Sequence, residues 1–365
     1  MQKIGEAKVR LFQKKLLEWA AAHPRPLPWK NTRDPYIIWL SEIILQQTRV
    51  EQGSPYFLKF AEKYPTVQHL AAAPEDELMK MWEGLGYYSR ARNLHAAAKK
   101  IVEDGGKFPD TFEAIKKMKG VGEYTASAIA SFAFDLPFAV VDGNVFRVLS
   151  RIFGVATPID STEGKKEFSK LADLLLDRTA PGKYNQAMMD FGATHCTPAN
   201  PKCGQCTFSA YCVAFQTGRV SDLPVKGKKL EKRLRHFNFL KIKTGEKVVI
   251  RKRAEKDIWR NLYEFPLIET DNPAEKPEDL KTGKGSGGLF LKEIPDLVFQ
   301  HPKRYQQLLT HQKIIATFWE WEAGEGFHID FSGFLTVDQK LLGKFAFPKV
   351  IDLYLKDKIL PLKLF

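Results

Sequence analysis

Cysteine is scarce in this chain. There are 4 in 365 residues, all within one stretch of 17, so no disulfide framework runs through the fold. Long apolar runs are missing as well: nowhere do roughly 18 apolar residues follow one another, as a bilayer-spanning helix needs. The N-terminal octet Met1-Gln2-Lys3-Ile4-Gly5-Glu6-Ala7-Lys8 lacks the apolar core of a secretion signal. There are no internal repeats and no long low-complexity tract. Together these absences lead us to expect a soluble, cytoplasmic protein with no membrane partner.

Acidic side chains are also in deficit, with 43 Asp and Glu against 56 Lys and Arg, a net charge of +13. The excess gathers in residues 219–260, which hold 15 basic and 5 acidic side chains. Such a stripe attracts polyanions through counterion release. A solvated Lys-rich surface would look the same, so charge alone does not decide for nucleic acid.

The length suggests about two domains. Residues 6–215 read as helices joined by short turns, within a first domain of 1–218. Asp34-Pro35 is an N-cap followed by proline at the first helical position, opening a helix that runs to Thr48. Pro74-Glu75 opens another, Gly84-Leu85-Gly86 interrupts the pattern, and 111–115 and 165–176 keep helical periodicity. Residues 219–235 are polar and basic and read as a linker. Beyond them, 236–242 and 247–253 alternate like strands around Thr244-Gly245-Glu246, and 317–321 is a further strand candidate. Gly283–Gly288 reads as a flexible loop and Pro348–Leu355 as a closing helix. The second domain, 236–365, is therefore expected to be α+β.

Cys196, Cys203, Cys206 and Cys212 have the spacing C-x6-C-x2-C-x5-C. A loop closed by four thiolates fits zinc or an iron–sulfur cluster. Zinc sites of the knuckle type usually show two short pairs, and here only Cys203 and Cys206 form one, which favours the cluster. In Met118-Lys119-Gly120-Val121-Gly122-Glu123-Tyr124, two glycines around one apolar residue let the backbone turn sharply and present N–H groups beside a helix start. That arrangement suits a phosphate and carries no base information. An ordinary helix–helix turn would have the same glycines.

Two carboxylates stand out. Glu42 lies in an apolar helical run with Trp39 and Leu45 on its face, so desolvation should raise its pKa and favour a proton donor. Asp142 follows the apolar Phe138-Ala139-Val140-Val141 and opens a helix, where the dipole favours the ionised form. One carboxylate kept protonated and another kept anionic is the division of labour that cleaves glycosidic bonds.

The hairpin at 118–126, Val141-Asp142-Gly143-Asn144-Val145 and the cysteine loop occur together in the endonuclease III superfamily of base-excision glycosylases. With 39–48, Gly84-Leu85-Gly86-Tyr87-Tyr88 and 185–192 added, the chain resembles the adenine DNA glycosylases of the MutY type. The resemblance implies an all-α helix-hairpin-helix glycosylase domain with an iron–sulfur cluster loop, followed by an α+β Nudix-like domain. Residues 257–266 resemble that second domain, without a pyrophosphatase box. It implies removal of adenine mispaired with 8-oxoguanine in duplex DNA by a monomer, cytoplasmic and of bacterial type, carrying a 4Fe-4S cluster on the four cysteines. Position by position, Glu42 matches the general acid and Asp142 the carboxylate that shelters the sugar cation. Tyr124 and Asn144 match residues that hold the site together. Tyr124 stands where the bifunctional branch has lysine, and a phenol cannot form a Schiff base, so a monofunctional enzyme is implied. Gln47 and Tyr87 match residues inserted into the duplex. Gly120, Val121 and Gly122 match the phosphate-binding hairpin, in which Lys119 replaces a common proline. Leu309, Thr310 and His311 fall on the Phe-Ser-His loop that inspects 8-oxoguanine, with leucine replacing the aromatic ring. A thymine-mismatch glycosylase, a bifunctional lyase and a DNA-binding module without catalysis are the alternatives.

Overall fold

The computed structural model describes residues 4–227, 231–293, 302–323 and 331–359. Its first part is helical: α1 Glu6–Ala22, α2 Pro35–Leu45, α3 Val50–Lys63, α4 Val67–Ala72, α5 Glu75–Met81, α6 Ser89–Glu103, α7 Phe112–Lys116, α8 Glu123–Phe134, α9 Gly143–Phe153, α10 Thr162–Leu175, α11 Pro181–Thr194 and the single turn α12 Val213–Gln216. Local signals account for several starts. The Asp34 carboxylate accepts from the Tyr36 amide at 2.8 Å with Pro35 at the first position, and Ser161 accepts from the Gly164 amide at 2.9 Å to open α10. Each bond satisfies a helix-end N–H that has no partner within its helix. α2 stops at Leu45, short of the expected Thr48, because Gln46 leaves the helical region at ψ 119° and Gln47 follows with a left-handed φ of 55°.

The chain divides into two compact units, one of residues 1–72 and 93–228, the other of 73–92 and 229–365. In the first unit α11 packs against α1, α8 and α9, and α2 packs against α8 and α3. Leu16, Val148, Phe168 and Phe191 are fully buried in its core.

The second unit is built on a seven-stranded sheet: β1 Arg233–Thr244, β2 Lys247–Lys252, β3 Tyr263–Glu264, β4 Leu267–Thr270, β5 Lys303–Leu308, β6 Gln312–Ala323 and β7 Phe334–Asp338. The order is β3-β2-β1-β6-β5, with β4 also on β1 and β7 on β2. β1 and β6 run parallel from Arg233 opposite Gln312 to Thr244 opposite Ala323, and the other pairs are antiparallel. The helices α13 Gly288–Glu293 and α14 Lys349–Ile359 also belong to this unit, as does α5. Leu240, Ile242, Ile268 and Trp319 pack with Phe290 of α13, while Phe318 stacks on Tyr354 of α14 at 4.0 Å.

Three expectations change. The 219–235 segment is mostly built into structure rather than a free linker. Ile159 N donates to Val225 O at 3.0 Å and Gly227 N to Asp160 Oδ1 at 2.7 Å, within the first unit. At its other end Arg233 opens β1, and Arg235 is buried there because Asp257 and Glu269 neutralise it, at 2.8 and 2.6 Å. Lys228 and Lys229 of that segment lie outside the described residues. The glycines at 283–288 are not a loose loop. Lys284 exchanges two backbone hydrogen bonds with Glu269, and a Cβ on Gly285 would stand 2.4 Å from the Leu267 carbonyl oxygen, so close approach to β4 is what these glycines allow.

Residues 73–92 were expected to belong with the helical domain, yet they sit in the second unit. Tyr263 Oη donates to Asp76 Oδ2 at 2.9 Å, Arg92 Nη1 to the Arg260 carbonyl at 2.7 Å, and the Phe347 amide to Glu83 Oε1 at 3.0 Å; Asn261 donates to Glu75. No sequence-local pattern reports pairings of this range.

Candidate active site

Glu42 sits in α2 among Trp39, Leu40, Ile43 and Ile44, and only 7% of it is exposed. Tyr124, in the first turn of α8, donates its hydroxyl to Glu42 Oε2 at 2.7 Å. Burial pushes the Glu42 pKa up to about 7; the Tyr124 hydrogen bond opposes this and the charge of Asp142 adds to it. A carboxyl titrating near neutrality both holds and releases a proton at physiological pH. The Tyr124 phenol is pushed well above its ordinary value by burial and by both carboxylates, so it stays neutral. Gln46, at the end of α2, donates to the Thr125 hydroxyl at 3.0 Å and ties the two helices beside the pair.

Asp142 is the N-cap of α9. Its Oδ1 accepts from the Val145 amide at 2.8 Å and its Oδ2 from Asn144 Nδ2 at 2.7 Å. Arg147 in turn donates to Asn144 Oδ1 at 2.8 Å. The sequence led us to expect a helix start that favours the anion. The hydrogen bonds do pull the pKa down, but burial outweighs them and the net shift is upward. Asp142 nonetheless keeps part of its surface open. Tyr124 couples electrostatically to both carboxylates and Glu42 to Asp142, so the four expected residues form one site within the first unit.

The four cysteines are free thiols lining one cavity with Arg151 and His195. Arg151 Nη1 lies 3.5 Å from Cys196 Sγ and donates to the Thr197 carbonyl at 2.8 Å, while the Phe208 amide points at Cys206 Sγ at 3.4 Å. Such donors suit thiolate ligands. Among the described residues no group of three His, Cys, Asp or Glu side chains is placed to hold a metal ion. A single tetrahedral zinc would need thiolates about 3.8 Å apart, whereas a cluster bound by one thiolate per iron takes a wider ring.

In the hairpin Gly120 has a φ of 82°, and a Cβ there would meet the Asn93 Cβ at 2.7 Å. Val121 is buried, and Gly122 caps α8 with open space where a Cβ would be. Gln47 is exposed. In the second unit Tyr87 is 46% exposed and has a φ of 46°, outside the usual range for a bulky residue. Its hydroxyl is hydrogen-bonded to Thr310 Oγ1. Leu309, Thr310 and His311 form the turn between β5 and β6, closed by Leu309 N donating to Gln312 O at 2.8 Å; Thr310 and His311 are exposed. Sequence reasoning missed Gln46, Thr125, Arg147 and Arg151. Arg147 and Arg151 stand four apart on α9, a periodicity that marks a shared helix face, while the Gln46–Thr125 pair has no local signature.

Comparison with known proteins identifies the family. Residues 40–173 match the family of HhH-GPD superfamily base excision DNA repair proteins, and 238–357 match the NUDIX domain. An adenine DNA glycosylase of Buchnera aphidicola (from Schizaphis graminum) is 37% identical over 267 residues, 72% of this chain and 76% of that one. The adenine DNA glycosylase of Mus musculus is 43% identical over 231 residues, 60% of this chain and 45% of that one, and the Arabidopsis thaliana protein is 36% identical over 76% of this chain and 50% of its own length. The chain thus spans about half the length of these last two. Among solved structures, a thermostable thymine-DNA glycosylase superposes with a TM-score of 0.54 at 32% identity, covering 58% of this chain and 98% of its own. An endonuclease III from a DNA complex superposes at 0.51 and 22% identity, a likeness of fold. With the family models, the curated relatives and the grouped carboxylates in agreement, the chain belongs to the adenine DNA glycosylases, the MutY-type branch of the HhH-GPD superfamily, DNA glycosylases that act on N-glycosyl bonds.

Proposed function

We propose that this protein removes adenine paired with 8-oxoguanine, or with guanine, from duplex DNA by hydrolysis. The observation that carries the reading is Glu42: a buried carboxyl titrating near neutrality, hydrogen-bonded to Tyr124 and coupled to Asp142. The target adenine leaves the stack and enters the site. Glu42 gives its proton to N7, the C1′–N9 bond breaks, and its electron pair goes to the base, which departs neutral. The Asp142 carboxylate stabilises the cationic sugar through a transient bond to C1′. Water then attacks C1′, giving a proton to the Glu42 carboxylate, the bond to Asp142 breaks with its electron pair returning to the Asp142 carboxylate, and both groups are restored. Tyr124 stays a neutral hydrogen-bond donor, which supports hydrolysis without a lyase step.

The hairpin at Gly120–Gly122 takes a backbone phosphate. Gln47 and Tyr87 enter the duplex beside the lesion, the glutamine occupying vacated space and the ring replacing lost stacking. Leu309, Thr310 and His311 inspect the partner base. The four cysteines would hold a 4Fe-4S cluster, whose iron–thiolate bonds would fix the loop. The monomer works in the cytoplasm on nucleoid DNA.

The test is a duplex with one adenine opposite 8-oxoguanine, treated with hot alkali after incubation. Strand scission at the adenine is expected; an intact strand with brown, fully loaded protein overturns the proposal. The likeness to a thymine-DNA glycosylase motivates a parallel duplex with thymine opposite guanine, where faster scission would replace adenine by thymine as the substrate.

A further inference from the structure

The turn that presents Tyr87 is held from beneath by one cation. Gly84, Gly86 and Tyr87 all have left-handed φ, at 98°, 72° and 46°, and for tyrosine that conformation persists only where surrounding contacts impose it. Arg90 is 8% exposed. Its backbone amide donates to the Tyr87 carbonyl at 2.9 Å, and Nη2 reaches the carbonyls of Leu85 and Gly86 at 3.3 and 3.2 Å. Its guanidinium carbon lies 5.1 Å from the Trp82 ring centre and 5.8 Å from that of Tyr87. Trp82, fully buried, donates its indole N–H to the Gly86 carbonyl at 3.1 Å. Burial brings the Arg90 pKa down to about 10, so it is cationic at neutral pH.

We infer that Arg90 is a positioning residue for DNA interrogation. Its planar guanidinium, bound to two turn carbonyls and set against two ring faces, pre-orders the exposed Tyr87 ring for insertion between base pairs. The inference rests on the proposed role of Tyr87 at a damaged base pair. A free tyrosine would lose side-chain and backbone entropy on insertion; one already fixed in the bound form loses less. Lysine cannot substitute, because an ammonium is a point charge without the plane that stacks on rings or the fork that spans two carbonyls.

The experiment compares the full-length parent with Arg90→Lys, Tyr87→Leu and the double variant. Affinity is measured for a duplex with adenine opposite 8-oxoguanine and for an undamaged duplex. The fluorescence of 2-aminopurine beside the 8-oxoguanine reports unstacking. Arg90→Lys is expected to weaken binding of the damaged duplex about tenfold and to abolish the fluorescence rise. Undamaged-duplex affinity should stay at the parental value, while the melting temperature falls by a few degrees because buried hydrogen bonds are lost; affinities are therefore compared well below the variant's melting temperature. In the Tyr87→Leu background the same change should add nothing. A parental fluorescence rise in Arg90→Lys, or losses that multiply in the double variant, overturns the inference. If Tyr87→Leu itself behaves as the parent, the insertion role and the inference fall together. A parent that excises adenine throughout separates these results from a failure of the proposed activity.

Discussion

Tyr124 donates its hydroxyl hydrogen to Oε2 of Glu42 across 2.7 Å, joining the second residue of α8 to the middle of α2. That bond favours the ionised carboxylate, while burial opposes it more strongly. The balance leaves Glu42 titrating near neutrality, the property required of the proposed acid.

Replacing Glu42 by Gln keeps the shape and removes the transferable proton. Single-turnover excision should fall roughly a thousandfold while duplex affinity stays close to that of the parent. Parental turnover in Glu42→Gln would show that the proton comes from elsewhere.

The raised pKa also carries a stability cost. Glu42 moves from 4.5 unfolded to about 7 folded, so the native state binds the extra proton and stability falls as pH rises between those values. The cost is absent below about pH 4.5 and reaches roughly 3 kcal/mol above about pH 7. Chemical denaturation at pH 5.5 and pH 8 should show Glu42→Gln gaining on the parent at the higher pH. An unchanging difference would place the Glu42 pKa near its ordinary value.

Tyr124→Phe removes the hydroxyl that favours the Glu42 anion. The alkaline limb of the single-turnover pH profile should therefore move to higher pH. A shift toward lower pH would contradict the assigned direction of the hydrogen bond.

Asp142→Asn preserves a side-chain oxygen for the Val145 amide, and asparagine caps helices as well as aspartate does. Folding should be kept, with a melting temperature near the parental one, while excision drops at least about a hundredfold. Substantial activity would remove the anion from the reaction.

Cys206→Ser should lose the visible absorption expected of the cluster and melt earlier, because the loop from Cys196 to Cys212 then loses a ligand of its staple. Full absorbance per polypeptide in this variant would exclude Cys206 as a ligand.

What the sequence disclosed depended on range. Glu42 was legible as a desolvated acid because Trp39 and Leu45 lie one turn either side of it. Asp142 was legible as a helix cap, but not its net pKa direction, since that reflects packing from several elements at once. The cysteine loop was legible from spacing within 17 residues. The bond between Tyr87 and Thr310 joins residues 223 positions apart and left no local trace. β5 also escaped, because Lys303-Arg304-Tyr305-Gln306-Gln307-Leu308 is a mostly exposed edge strand without apolar alternation. Arg233-Leu234-Arg235 read as linker because its charges look solvated until Asp257 and Glu269 are brought beside Arg235.

The allegiance of residues 73–92 bears on how the gene can be dissected. A fragment ending at Lys228 would include Glu75, Asp76 and Glu83 but none of their hosts, Asn261, Tyr263 and the Phe347 amide. Glu75 and Asp76 would lose these partners, and Glu83 would keep Lys80 but lose the Phe347 amide, next to the stretch that carries Tyr87. Truncation therefore subtracts more than the tail it deletes: defects seen in such a fragment would mix the loss of the proposed lesion inspection with the loss of a foundation that the amino-terminal half borrows from the carboxyl-terminal one.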